Sequence, residues 1–146
     1  MRIVVDTNIA FSAILNTNNL IANIILYPKS RLHFYSTDLL LLEIQEHRDK
    51  LKRLAGYSDS ELNKIIAIIT GKIRFIDAGL IPSDVLNLTQ ELLKDIDLDD
   101  TEFVALTSHL HGRLWTGDKV LQHGLLQKGW TKFISTNELY SLIHKK

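Results

Sequence analysis

A chain of 146 residues with 45% hydrophobic content has the size and make-up of one globular domain around a single core. Its 17 basic residues balance 17 acidic ones, so contact with a nucleic acid must rely on a local basic patch rather than a global field. The lack of cysteine excludes disulfides, zinc–thiolate sites and thiol catalysis.

Arg2 to Asp6 is a short β-branched run, and a helical pattern follows from Ile9 to Leu15. Nothing before it resembles the apolar stretch of a signal peptide, and no run reaches the about 20 apolar residues of a membrane span. The expectation is a cytoplasmic protein without a membrane segment. Asn16 to Asn19 marks a turn, and a short apolar helix must stop near Pro28. Leu32 to Ser36 reads as the second strand. Thr37 or Asp38 can cap the next helix, whose apolar stripe runs Leu40, Ile44, His47, Leu51, Leu54. Ser58 to Ser60 with Glu61 forms a capping box for another helix, ended by Gly71. Ile73 to Ile76 is the third strand and Ser83 to Leu93 a further helix. After an acidic cluster, a helix runs to about Leu110 with Gly112 as its stop. Arg113 to Thr116 is the fourth strand, Phe133 to Ser135 the fifth, and Thr136 to His144 a closing helix. Between those last two strands only a helix start at Lys119 is read. Strands separated by helices predict a single α/β domain over residues 1–146, with a mostly parallel sheet flanked by helices.

In such open sheets ligands bind at the carboxyl ends of the strands. Asp6 ends the first strand, and Glu43 lies in the first turns of the helix after the second. Asp99 and Asp100 begin the helix before the fourth strand, and Asp118 follows that strand directly. Carboxylates gathered at one edge repel and raise one another's pKa. A hard divalent cation such as Mg²⁺ or Mn²⁺ removes that penalty and prefers oxygen ligands. Taken singly, each of these acids is also what a helix cap or a turn requires. Their shared place at one edge is what favours a site.

Three segments carry a resemblance: VVDTNIAFSAIL at 4–15, DLLLLEI around Glu43, and DDTEFVALTSHLHGRLWTGDKVL at 99–121. In this order and spacing the chain resembles a PIN domain, close to the VapC-like toxin branch of bacterial toxin–antitoxin pairs. The resemblance implies a PIN-like, Rossmann-like fold and a metal-dependent endoribonuclease. Its catalytic and metal-holding acids would be Asp6, Glu43, Asp100 and Asp118, binding one or two Mg²⁺ or Mn²⁺ ions. In the family pattern the third acid lies three residues before the position opening the buried helix face. Phe103 suits that position and favours Asp100, leaving Asp99 to cap the helix or hold a water. Asp95 and Asp97 read as solvated loop charges. The resemblance also implies an RNA substrate, a cognate antitoxin and a homodimer, for which the apolar helices at Leu20–Leu26 and Ile65–Ile69 offer surfaces or simply core.

Asn8 and Thr116 are similar to the polar residues that orient a ligand or phosphate in such sites, although Asn8 would equally cap the first helix. Lys119 is placed to meet a phosphate or to stand solvated. Ser12 lies one turn past Asn8, on the surface or in the same cleft. His47, at i+4 from Glu43, reads as a half-buried histidine rather than a ligand. His109 and His111 sit toward a helix end, away from the acids. HRDKLKR at 47–53 is the best basic surface for RNA, or an ordinary solvated helix face. Three other functions compete. One is a catalytically inactive RNA-binding or protein-interaction module on the same fold. Another is aspartyl-phosphate chemistry, disfavoured because Asn8 stands where a second aspartate is needed. The last is a DNA repair nuclease, for which the chain is short.

Overall fold

The computed structural model describes residues 1–28 and 31–144. Its centre is a five-stranded sheet, all parallel, in the order β3-β2-β1-β4-β5. The strands are β1 (Arg2–Val5), β2 (His33–Thr37), β3 (Ile73–Ile76), β4 (Arg113–Trp115) and β5 (Phe133–Ile134). Helices α1 (Thr7–Leu15) and α2 (Leu20–Leu26) follow β1. Then come α3 (Asp38–Glu46), α4 (Arg48–Ala55) and α5 (Asp59–Thr70) after β2. Helix α6 (Ser83–Leu93) follows β3, and α7 (Thr101–Leu110) precedes β4. Helices α8 (Lys119–Gln127) and α9 (Thr136–Ile143) come last. The single α/β domain expected from the strand–helix alternation is what the chain forms.

A parallel sheet covered on both faces should bury successive residues of its central strands, not alternate ones. Ile3, Val4 and Val5 are all fully buried, as are Leu114 and Trp115 of the neighbouring β4. The register sets Ile3 against Phe34 on one side and Arg113 on the other, and Val5 against Trp115. The chain moves outward from β1 to β2 to β3, then returns to lay β4 on the opposite side of β1. The order therefore reverses between β1 and β4, and a crevice opens there at the carboxyl edge.

Three expectations need correcting. The helix expected from Thr37 or Asp38 to Leu54 is two helices, broken at His47, which caps the end of α3 and the start of α4 at φ −102°, ψ 15°. Leu40, Ile44 and Leu51 are buried, but past Leu51 the stripe leaves the core and Leu54 is 59% exposed. The segment between β4 and β5 holds a full helix, α8, whose Gly124 interrupts the apolar pattern. A Cβ at that glycine would lie 2.7 Å from Cδ1 of Ile96, so the isoleucine side chain would have to shift to admit it. Finally, α7 is stopped by His111, which takes the left-handed conformation at φ 53°. Gly112 follows for another reason: a Cβ would meet the Arg2 carbonyl oxygen at 2.6 Å. Opposite effects are expected at these neighbours in thermal melts. His111→Gly should add about 0.5–1 kcal/mol by removing the left-handed penalty. Gly112→Ala should cost about 1–3 kcal/mol by pushing β1 away from β4.

The α1–α2 pair is apolar but bent by 100°, and among the described residues no single helix is long and apolar enough to cross a membrane. Ala22, Ile24 and Ile25 of α2 and Ile69 of α5 are buried, so the core claims much of both helices named as dimer surfaces.

Candidate active site

Asp6 ends β1 beside the reversal point and caps α1, its Oδ1 accepting from the Ile9 N–H at 3.0 Å. It is 4% exposed. Burial pushes its carboxyl up to about 6; Thr116 and the Ile9 amide oppose the rise, and the charges of Asp118 and Glu43 add to it. Asp118 caps α8 in the same manner, accepting from the Leu121 N–H at 3.1 Å. The capping and site readings are thus both true of these two acids. Two helix N-termini offset part of the cost of placing carboxylates there.

Asp100 comes from the other side of the reversal point, through the 3₁₀ turn Leu98–Asp100 that leads into α7. It occupies the N-cap position of α7 yet makes no side-chain cap bond. Its Oδ2 is buried without a hydrogen-bond partner. Burial pushes this carboxyl up to about 7, and the charges of Asp97, Asp6, Asp118 and Asp99 raise it further. Asp100 is therefore the member of the acidic cluster that stands beside Asp6 and Asp118. Asp99 is exposed; its charge reaches both Glu43 and Asp100, but it does not cap α7.

Glu43 projects from α3, and burial raises its carboxyl as well. Thr7 and His47 pull it down, while Glu46 and Asp99 push it up. Thr7 is buried beside it, although its hydroxyl completes no hydrogen bond of ordinary length. Thr37, at the end of β2, is fully buried with an equally unpaired hydroxyl and makes no cap bond to α3. Among the described residues, these two hydroxyls and Asp100 Oδ2 are the buried side-chain polar atoms without partners. All three lie at the carboxyl edge of the sheet. Sequence patterning read Thr37 only as a candidate cap and did not single out Thr7; the signal available was their position, each a threonine at the end of a strand next to an acid. Thr37→Val removes a buried unpaired hydroxyl at constant shape, and is expected to gain about 1 kcal/mol in denaturant unfolding. A loss instead would show that the hydroxyl is satisfied by a bound water.

The remaining predicted residues divide. Thr116 is buried; its Oγ1 accepts from the Asp118 N–H at 3.1 Å and its hydroxyl also favours the ionised form of Asp6, so it ties two acids together. Asn8 does not cap α1, a place Asp6 takes, and its exposed side chain makes no hydrogen bond within the described residues. Lys119 is exposed and lines a cleft of about 300 Å³ with Thr116, Gly117 and Gln122. Asp95 and Asp97 are more than solvated charges. Asp95 pairs with Lys128 at the end of α8, and Asp97 caps the 3₁₀ turn by accepting from the Asp99 N–H at 2.9 Å. In the basic stretch, Arg48 and Lys52 face Asp59 at 3.8 and 3.0 Å, while Lys50 and Arg53 have no acidic partner among the described residues.

Four carboxylates from four segments thus influence one another across a single crevice. Among the described residues no three acidic or histidine side chains already stand in an ion-holding arrangement. The donor set nevertheless fits a hard divalent cation: oxygen atoms only, partly stripped of water, mutually repelling, with one buried oxygen unpaired. Binding would ask those side chains to turn toward the ion.

No curated protein matches this chain. The family profile described as the PIN domain matches residues 4–138, from the middle of β1 to the first turn of α9. PIN domains carry a nuclease-type fold and typically use divalent metals. With 135 of 146 residues inside that match, a reversing parallel sheet and acids at its carboxyl edge, the chain belongs to the PIN-domain family.

Proposed function

We propose that the protein is an endoribonuclease that hydrolyses phosphodiester bonds with the help of Mg²⁺ or Mn²⁺, held by Asp6, Glu43, Asp100 and Asp118. The observation that carries this reading is the unpaired, buried Oδ2 of Asp100 among carboxylates already pushed toward protonation. A bound divalent ion supplies a water of lowered pKa and offsets charge on the phosphate and the leaving oxygen.

The protein's own residues do the rest. Asp6, nearly sealed from solvent, forms the floor of the site, and Thr116 fixes its orientation relative to Asp118. The Ile9 amide at the N-terminus of α1 favours the ionised form of Asp6, and Asp118 caps α8 through the Leu121 amide. Thr7 and His47 favour the ionised form of Glu43. Lys119, exposed at the cleft beside Asp118, is placed to hold a phosphate oxygen of the strand. No covalent nucleophile is needed. The three resembling segments support a toxin within a toxin–antitoxin pair, restrained by an antitoxin and assembled as a homodimer.

The test is cleavage of a mixed single-stranded RNA panel with Mg²⁺, with Mn²⁺ and with EDTA, beside Asp6→Asn and Asp100→Asn. Metal-dependent cutting lost in both variants is the expected result. The absence of a ready-made three-ligand cluster favours a second reading, an inactive binding module. Failure to cut any RNA, with no metal-dependent rise in melting temperature, would overturn the four-acid site and favour that reading instead.

A further inference from the structure

Two clefts share His47 as a wall on the α3–α4 side, and the charges along them differ. The larger, about 1210 Å³, runs from Glu43 between α3, α6 and the start of α7. Its walls carry Glu46, Glu91, Asp99 and Glu102, and its one lysine, Lys94, is already paired to Glu91 at 2.5 Å. With Glu43, its acidic residues outnumber its cations, which disfavours a polyanion. The smaller cleft, about 360 Å³, lies between α1 and α4. Asn8, Phe11, Leu15, His47, Lys50 and Leu54 line it, with no acidic residue among its walls.

We infer that the smaller cleft is a subsite for one nucleotide of a single-stranded RNA, seating the base and phosphate beside the bond to be cut. The inference rests on the nuclease reading of the neighbouring acids. Its volume sits at the low end for ligand pockets and admits one unpaired base, not a duplex. Both walls begin at the acidic site. Asn8 lies two residues beyond Asp6, and His47 donates its Nδ1–H to the Glu43 carbonyl at 2.9 Å.

The wall chemistry suits a base and a phosphate separately. The rings of Phe11 and His47 lie 5.5 Å apart at 58°, an aromatic platform of the kind on which unpaired bases stack. Leu54 leaves its apolar side chain 59% exposed at the rim, a contact surface that no part of the described chain covers. Among the described residues Lys50 has no acidic partner, in contrast to Arg48 and Lys52, whose charges face Asp59. A free cation beside an aromatic platform is what one phosphate and one base require. The free amide of Asn8 adds a donor and an acceptor at the end nearest Asp6. The broken helix at His47 also gains a purpose: it turns α4 so that Lys50 and Leu54 face α1.

The test is binding of a short fluorescein-labelled single-stranded RNA in EDTA, where no cutting occurs, over a range of KCl concentrations. Lys50→Ala should weaken binding severalfold for all sequences and lower the salt slope by about 0.7, the loss of one phosphate contact on a single strand. Phe11→Leu should weaken it by about tenfold with the slope unchanged, because stacking carries no counterion release. Lys94→Ala, in the acidic groove, should change neither. A duplex of the same length should bind more weakly than the single strand. Phe11 packs partly on the core, so Lys50→Ala, on the surface, keeps the test independent of folding. RNA bound and cut normally by both Phe11→Leu and Lys50→Ala would overturn the subsite and leave the nuclease reading standing. RNA neither bound nor cut by the wild-type chain would overturn both.

Discussion

Asp100→Asn is expected to abolish RNA cleavage and, in the same protein without metal, to raise the melting temperature. The two effects share one cause. The Asp100 carboxyl is half-buried among Asp97, Asp6, Asp118 and Asp99, and its pKa is pushed up to about 7 from the ordinary 3.8. An acid whose folded-state pKa is raised binds its proton more tightly in the native state than in the unfolded one. Stability is then fully present below 3.8 and is lost as pH rises toward about 7. Asparagine has no charge to suppress. Its advantage should be absent at strongly acid pH, grow through that window, and level off above it. One pKa unit corresponds to 1.36 kcal/mol, and partial solvent exposure screens the full shift. A gain of about 1–2 kcal/mol, or about 3–8 °C, is the expected size at mildly alkaline pH. Asp6→Asn should act in the same direction, since asparagine still caps α1 through the Ile9 amide. Mg²⁺ or Mn²⁺ should raise the melting temperature of the wild type more than that of either variant, and more strongly as pH rises, because the ion competes with protons. Thermal melts in EDTA across the pH range, repeated with each metal, measure all of this. A lower melting temperature for Asp100→Asn at alkaline pH would mean that the carboxylate stabilises the fold, contrary to this account.

The acids at strand ends were legible because the signals are short-range. A β-branched run followed by an aspartate and a helical pattern, as at Arg2 to Leu15, marks a strand end and a helix cap within a dozen residues. The parallel order follows from alternation, and the edge on which the acids gather follows from the order. Features that depend on distant partners were not legible. Asp95 looks like a free charge until α8 brings Lys128 beside it, 33 residues later. Gly124 interrupts the apolar pattern of α8, and the residue packed against it, Ile96, lies on another segment. The break at His47 leaves no composition signal, because the apolar spacing continues to Leu51 and only then loses the core. Thr7 and Thr37 each stand at a strand end next to an acid, a signal shared with ordinary caps; what sets them apart is burial without a partner. The choice of Asp100 over Asp99 came from the Phe103 position in sequence; the structure adds that Asp99 is exposed while Asp100 is half-buried within reach of the Asp6 and Asp118 charges.

Trp115→Ala should be the most damaging single change in the chain. The indole is fully buried, its ring centroid 6.0 Å from that of Phe34, and its Nε1–H donates to Thr136 Oγ1 at 2.9 Å. It thereby ties β4 to the start of α9 and to β2 across the sheet. Deleting it leaves a cavity that a three-residue strand between two others cannot close, at a cost of about 3–5 kcal/mol. Against a typical total of about 5–15 kcal/mol, that is a third or more of the stability. The site would suffer with it, because the Trp115 carbonyl accepts from the Asp6 N–H at 3.5 Å and the next residue, Thr116, holds Asp6 and Asp118 together. Trp115→Phe separates the two roles of the side chain. It keeps most of the ring volume but gives up the indole hydrogen bond, and Thr136 is exposed enough for water to take the vacant place. A cost of about 1–2 kcal/mol is expected, with cleavage retained below the new melting temperature. Urea unfolding followed by circular dichroism gives both values, and the cleavage rate measured well below each transition gives the second readout. A Trp115→Phe protein that melts normally yet cuts poorly would show that the indole acts on the acids directly, and not only through the packing of β4.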